Sequence, residues 1–328
     1  MEKIISGFIS QIHFGEVQSY QNMQIIPLYS NIKENLLYLT LKEALEKRLL
    51  VIQEVSTGGS VPELKVINHS DTPVLLVDGE ELSGAKQNRV LNTTILVKGN
   101  SELNIPVSCT EQGRWSYQTD SFYDSDIISP TFLRAKKVSS VNISLKQDRG
   151  YHSDQQEVWE NVAFLRNSAR VNSATGAMKD VFKQKETNLE EYLEAFQCLP
   201  YQKGIFVFID GEIAGWDILS RESSFALIFP KLVKSYAMDA LLKEEKKVVT
   251  CRNPIEEARH FLEGIQDCKE DKYSSTGQGF DYRFEGEDKV GSALVVENEI
   301  IHMAFFKMTR EEKTGRMSGY KRRRGYRI

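Results

Sequence analysis

The chain has 328 residues, 41% hydrophobic and 27% charged, a profile that fits two folded domains or one large one and excludes a disordered or collagen-like polymer. A formal charge of −4 argues against a general nucleic-acid binder, although 310–328 carries eight Lys or Arg against two Glu, a +6 stretch that leaves −10 on the rest. No run nears the ~20 apolar residues of a membrane span, the first residues lack the apolar core of a signal peptide, and Cys109, Cys198, Cys251 and Cys268 form neither CxxC nor a disulfide framework; a cytoplasmic protein that does not associate with membranes is expected.

The first third predicts strands at 24–30, 36–40, 51–55, 63–67, 74–77, 93–97 and 103–108, each a short apolar or alternating run closed by turn residues. One helix interrupts them at 41–50, where LKEALEKRLL sets its leucines at helical spacing. Residues 116–150 read as a polar loop with one strand at VSSVNISL. Amphipathic helices follow at 152–171 and 187–197, with Asp154 and Thr187 as N-caps. The run 205–219 is a hairpin turning at Asp210-Gly211, because a type I′ turn needs positive φ at both positions. Helices at 230–242 and 254–265 come next, the second capped by Asn253 with Pro254 as its first helical residue. Strands at 279–286, 292–298 and 299–306 complete the chain, ahead of the basic end. The fold class is α+β with mixed, mainly antiparallel sheets and a helical segment between two lobes. The domain expectation is a strand-rich lobe at 1–150, helices at 151–200, an α+β lobe at 201–308 and a basic tail at 309–328. Three stretches, VLLVDGEELSGA, FVFIDGEIAGWD and ALVVENEIIHMA, each end an apolar strand on an acid. They read as three similar hairpin turns, with a duplicated unit as the other reading.

DGEELSGAKQNRVLN (78–92) is the most informative stretch. A hairpin link needs only two to five residues, usually small, whereas this one is dense in long polar side chains. If 74–77 runs up, 92–97 runs down and 103–108 runs up again, so 109–117 emerges on the same rim as 78–91. Pro106 cannot donate to a ladder, which marks an edge or a bulge. The expected pocket thus combines Glu80, Lys86, Gln87, Asn88, Arg89, Arg114 and Trp115 as ligand-binding groups with Glu81 and Glu111 as catalytic ones. Arginine and lysine hold phosphate, Trp115 or Tyr117 stacks on a base, and the amides read hydrogen-bonding edges. The carboxylates can bind ribose hydroxyls, hold a hydrated Mg²⁺ (the one cofactor suggested) or act as general acid and base. A salt-bridged surface loop is the competing structural reading. CTEQGR (109–114) superficially matches oxyanion-cradling cysteine loops, but no helix follows it, so Cys109 reads as a buried thiol. The five histidines lack metal-ligand spacing.

VDGEELSGAKQNRVLNTTILV (77–97) and IPVSCTEQGRWSY (105–117) resemble signature blocks of the ARG and rhodanese-phosphatase-superfamily-associated protein family, and the resemblance extends through most of 1–308. That family takes its name from genomic association with ADP-ribosylglycohydrolases and with rhodanese- or phosphatase-like proteins. The resemblance carries no catalytic assignment. It implies chemistry on ADP-ribose, an NAD-derived nucleotide or an ADP-ribosylated molecule in a defence, repair or NAD-related pathway. Three functions are therefore expected to compete: an enzyme of that kind, a non-catalytic nucleotide-sensing module, and a nucleic-acid-associated factor using the basic tail. The partners implied are a nucleotide-like small molecule, proteins of an ADP-ribosylglycohydrolase-linked pathway and, for an oligomer, further copies of the chain.

Overall fold

The computed structural model describes residues 1–32, 34–56, 58–243 and 249–308. The basic stretch 310–328, and with it the nucleic-acid reading, lies outside the described residues. The first segment holds α1 (Lys3–Ile9), β1 (Ile12–Phe14), β2 (Gln18–Tyr20), β3 (Met23–Ser30), β4 (Leu39–Thr40), α2 (Leu41–Glu46), β5 (Leu50–Glu54) and β6 (Glu63–Asn68). Then come β7 (Val74–Leu76), β8 (Glu80–Gly84), β9 (Arg89–Leu91), β10 (Ile95–Val97), β11 (Ser101–Cys109) and β12 (Phe122–Ile128). Four helices follow, α3 (Thr131–Lys146), α4 (Gln155–Ser168), α5 (Met178–Gln184) and α6 (Glu186–Ala195). The last segment holds β13 (Gly204–Ile209), β14 (Glu212–Leu219), α7 (Glu222–Leu242), α8 (Pro254–Glu263), β15 (Lys269–Ser274), β16 (Phe280–Glu285), β17 (Lys289–Val296) and β18 (Glu299–Lys307).

The class is α+β with mainly antiparallel sheets. A nine-stranded sheet runs β1-β3-β13-β14-β18-β17-β16-β15, with β2 also pairing with β3. A six-stranded sheet runs β12-β8-β9-β11-β6-β5, and a small one runs β10-β7-β4, in which β4 and β7 are parallel. Successive side chains of a strand face opposite ways, and β13 uses both faces. Ile205, Val207 and Ile209 enter the core shared with α7, while Phe206 and Phe208 enter the one roofed by α1 and α8. A strand covered on both sides needs no polar alternation, which is why IFVFI is apolar throughout. A third core, built on Leu64, Val66, Leu82, Leu91 and Ile105, fills the six-stranded sheet.

Several expectations change. β3 pairs with β13, Ile26 opposite Phe206, so the large sheet crosses the expected boundary between 1–150 and 201–308. The helix expected at 41–50 stops at Glu46, where Arg48 turns left-handed (φ 57°) and Leu50 opens β5. Residues 116–150 contain β12 and a 16-residue helix, α3, which includes the VSSVNISL expected as a strand. Two of its β-branched residues, Val138 and Val141, are buried on one helical stripe with Leu145. Thr187 lies inside α6 rather than capping it; Lys185 holds the N-cap position. The helix expected from Pro230 begins at Glu222, with Pro230 in its interior. Asp154 does cap α4, accepting from the N–H groups of Gln156 and Glu157. Asp210-Gly211 forms the expected turn, both at positive φ (52° and 77°). Of the three strand-acid stretches, the last two are hairpins, whereas Asp78-Gly79 passes the chain from one sheet to another, since β7 pairs with β10 and β8 with β9 and β12.

Candidate functional site

The link 78–91 is not one loop. β8 and β9 pair with each other, Leu82 opposite Arg89, and leave 85–88 as a short connection. β9 also pairs with the end of β11, Arg89 opposite Cys109. That pairing brings 85–88 and 110–117 out side by side. Pro106 sits where β11 changes partner: 101–106 pair with β6, and 107–109 pair with β9 on the other side. With no N–H to donate, proline suits that transition.

The converging side chains bond mainly to one another. Arg114 pairs with the Glu111 carboxylate through Nη2 at 2.6 Å and Nε at 2.9 Å. Its Nη groups also donate to the carbonyls of Ala85 (2.6 Å) and Gly84 (3.3 Å) and to Asn88 Oδ1 (3.2 Å). Glu111 further accepts from the Asn88 N–H and the Thr175 hydroxyl. Burial by itself would raise the Glu111 carboxyl, but Arg114, Thr175 and the Asn88 N–H outweigh it and hold the group below its usual range. Gln87 donates to the Glu111 carbonyl at 2.8 Å. The Cys109 thiol donates to Gln87 Oε1 (3.1 Å), and burial pushes it up to about 11. That supports the reading of Cys109 as a buried, unreactive thiol.

Three features open outward or stay unfilled. Trp115 is 48% exposed and Tyr117 50%, and the Lys86 ammonium lies 5.3 Å from one ring centre and 5.1 Å from the other. Behind them Arg89 is fully buried, its guanidinium carbon 5.7 Å from the Trp115 ring. Arg89 Nη1 donates to the Gln87 carbonyl and side chain, and Nη2 stands 3.7 Å from Glu54 Oε1. Nε and Nη2 have no hydrogen-bond partner among the described residues, nor has Glu54 Oε2. Those two nitrogens share one edge of the guanidinium, the edge that takes a carboxylate or phosphate side-on. Glu81 accepts from the Thr110 hydroxyl at 2.6 Å through Oε1, while Oε2 has no hydrogen-bond partner among the described residues. Complete burial pushes its carboxyl up to about 7. Glu80 leaves the group: it accepts from Lys231 of α7 (2.8 Å) and from the Val77 N–H (2.8 Å).

A second polar network, invisible to the sequence reading, lies between the large sheet and the signature stretch. Arg134 grips Asp217 through both Nη groups (2.6 and 3.1 Å), and Tyr236 donates to the same carboxylate at 2.8 Å. His302 bridges Asp217 (3.3 Å) and the Thr94 hydroxyl (2.8 Å), and Thr94 accepts from the Asp78 N–H. Lys137 donates to Asp78 and to the Leu91 carbonyl. Thr94, His302 and Asp217 follow the order of a hydroxyl-imidazole-carboxylate triad. Asp217 is, however, neutralised by Arg134 and held well below the usual carboxylate range against the cost of burial, so the arrangement works as a bolt between sheets. Asp78 belonged to the quoted stretch, but its partners come from α3, which read as loop.

Two hollows of about 500 and 510 Å³, sharing Ile255 and Arg259, lie on the far side of the large sheet, along α8. No group of three or more His, Cys, Asp or Glu positioned to hold a metal ion occurs among the described residues. Among those residues, no helix is long and apolar enough to cross a membrane. The model of one family, the ARG and Rhodanese-Phosphatase-superfamily-associated Protein domain, matches residues 11–306. No curated protein and no solved structure matches the chain.

Proposed function

The chain belongs to the ARG and Rhodanese-Phosphatase-superfamily-associated Protein family, and from that premise we propose that it binds and acts on a nucleotide of the ADP-ribose class at the Trp115–Tyr117 face. The observation that carries this reading is Arg89, buried directly beneath a half-exposed indole, its Nε and Nη2 without a hydrogen-bond partner among the described residues and Glu54 3.7 Å from Nη2. An anion docked on those two nitrogens and a base stacked on Trp115 would satisfy both groups, with Lys86 adding a second positive charge at the rings. The family name, with its link to ADP-ribosylglycohydrolases, supports the same ligand class. Glu81 is the candidate proton-transfer group, since a carboxyl near 7 can both give and take a proton near neutral pH; it stands opposite Val90, on the other face of the β8–β9 pair from Arg89, and so acts from behind the ligand-binding face. Glu111 serves instead as a positioning residue that ties the two loops through Arg114.

Calorimetry with NAD, ADP-ribose and its phosphates tests binding. Trp115→Ala, a change at an exposed ring, should weaken the best ligand roughly tenfold, in the range of one lost base–aromatic stack. Heat from none of these nucleotides, with the protein demonstrably folded, would end the proposal. A non-catalytic sensor is the second reading, favoured by the closed Glu111–Arg114–Asn88 net. Glu81→Gln separates the two: turnover falls with little change in affinity if the protein is an enzyme, whereas a sensor shows no turnover to lose.

A further inference from the structure

We infer that Asp281, Arg283 and Thr93, beneath the ring of Tyr151, form a second binding site, and that its ligand is a neutral sugar bearing vicinal hydroxyls. Asp281 and Arg283 are two apart on β16, so they face the same way, toward Thr93 between β9 and β10. Each side chain is 2–3% exposed. Arg283 Nη2 donates to Asp281 Oδ2 (2.6 Å) and to the Thr93 hydroxyl (2.5 Å), which itself donates to Asp281 Oδ2 (2.6 Å). These bonds leave Arg283 Nε, Arg283 Nη1 and Asp281 Oδ1 with no hydrogen-bond partner among the described residues. Donors and an acceptor left over in one buried cluster call for a partner that both accepts and donates.

Charge narrows the chemistry. Asp281 offsets Arg283, and Asp78 offsets Lys137 nearby, so an anionic ligand would add an uncompensated charge to a dry region. A hydroxyl accepts from an N–H and donates to a carboxylate, so two adjacent hydroxyls can take one unused Arg283 N–H and Asp281 Oδ1 without net charge. The Tyr151 ring closes the cluster, 5.4 Å from the Arg283 guanidinium carbon, and offers a flat apolar face to a sugar ring. Tyr151 is only partly buried, in a stretch that turns through positive φ at Asp148 (56°) and Gly150 (76°). It is held by its hydroxyl on the Ser274 carbonyl and by Asn92, which donates to its own carbonyl. The site shares no side chain with the Arg89 face and does not depend on the nucleotide reading.

Saturation-transfer NMR with D-ribose on the full chain is the test, run in an Arg89→Lys, Trp115→Ala background so that the nucleotide face cannot contribute. Ribose should give transfer signals, and inorganic phosphate should not compete. Asp281→Asn, which keeps the volume, and Tyr151→Ala, at a partly exposed position, should each abolish the ribose signal. Absence of ribose transfer in the folded background protein, or undiminished transfer in both variants, overturns the assignment. Because the Arg89 face is disabled throughout, failure here leaves the nucleotide calorimetry untouched, and the converse holds.

Discussion

Glu81 shows how a single carboxyl can couple environment to pH. Its folded value of about 7 lies above the ordinary glutamate value of 4.5 because burial penalises the charge, and the Thr110 hydroxyl only partly offsets that. The folded state therefore keeps the proton after the unfolded chain has released it. The contribution is fully present below about 4.5 and is lost as pH rises toward about 7. Its size is roughly 3 kcal/mol, from a rise of about 2.5 units at 1.36 kcal/mol each. Glu81→Gln cannot ionise and still accepts from Thr110. Thermal melts should show little difference from the parent at pH 4.5 and a higher melting temperature for the variant at pH 8. A variant destabilised equally at both pH values would mean that Glu81 is charged and paired in the folded protein. Asp239 is likewise raised to about 7 by burial, so the Gln variant should reduce the alkaline loss without abolishing it.

At the scale of elements, α3 decides how the signature stretch is held. Arg134 and Lys137 project from its buried stripe, with Val138, Val141 and Leu145 on the same side, while Ile143 faces solvent. Cations inside and an isoleucine outside invert the usual amphipathic pattern, which is why 131–146 did not read as a helix. The apolar run of β13 and the Asp-Gly turn between it and β14 were legible because they follow the common rule. The same contrast governs the site. Arg89, Lys86, Glu81 and Trp115 stood out as charges and a ring, but nothing in one dimension revealed that Glu111 and Arg114 would satisfy each other, or that Glu80 would turn to Lys231. Removing one side of a buried ion pair leaves the other uncompensated, at a cost of about 3–5 kcal/mol. Arg134→Met, which strands Asp217 beside His302 and Tyr236, should lower urea stability by that amount. A loss below about 1 kcal/mol would show that Asp217 finds its compensation elsewhere.

At the scale of the whole molecule, strand pairing and buried polar contacts cross residue 150. β3 contributes a full strand to the C-terminal sheet beside β13. Glu80 reaches Lys231, Arg134 reaches Asp217, Thr93 reaches Asp281 and Thr94 reaches His302, all of them buried. A fragment ending at 150 would expose the inner edge of β3 and leave Glu80 and Arg134 without their partners in an apolar setting, a combination that burial cannot offset. Expressed alone, residues 1–150 should show a collapsed amide spectrum and no cooperative urea transition, whereas the full chain should unfold with one transition by both fluorescence and circular dichroism. Mixing fragments 1–150 and 151–328 should restore dispersion, since the missing strand edge and counter-charges then return together. A 1–150 fragment with native-like dispersion and a sigmoidal transition of its own would place a domain boundary there, and the buried cross-links would then be contacts between two independent folds.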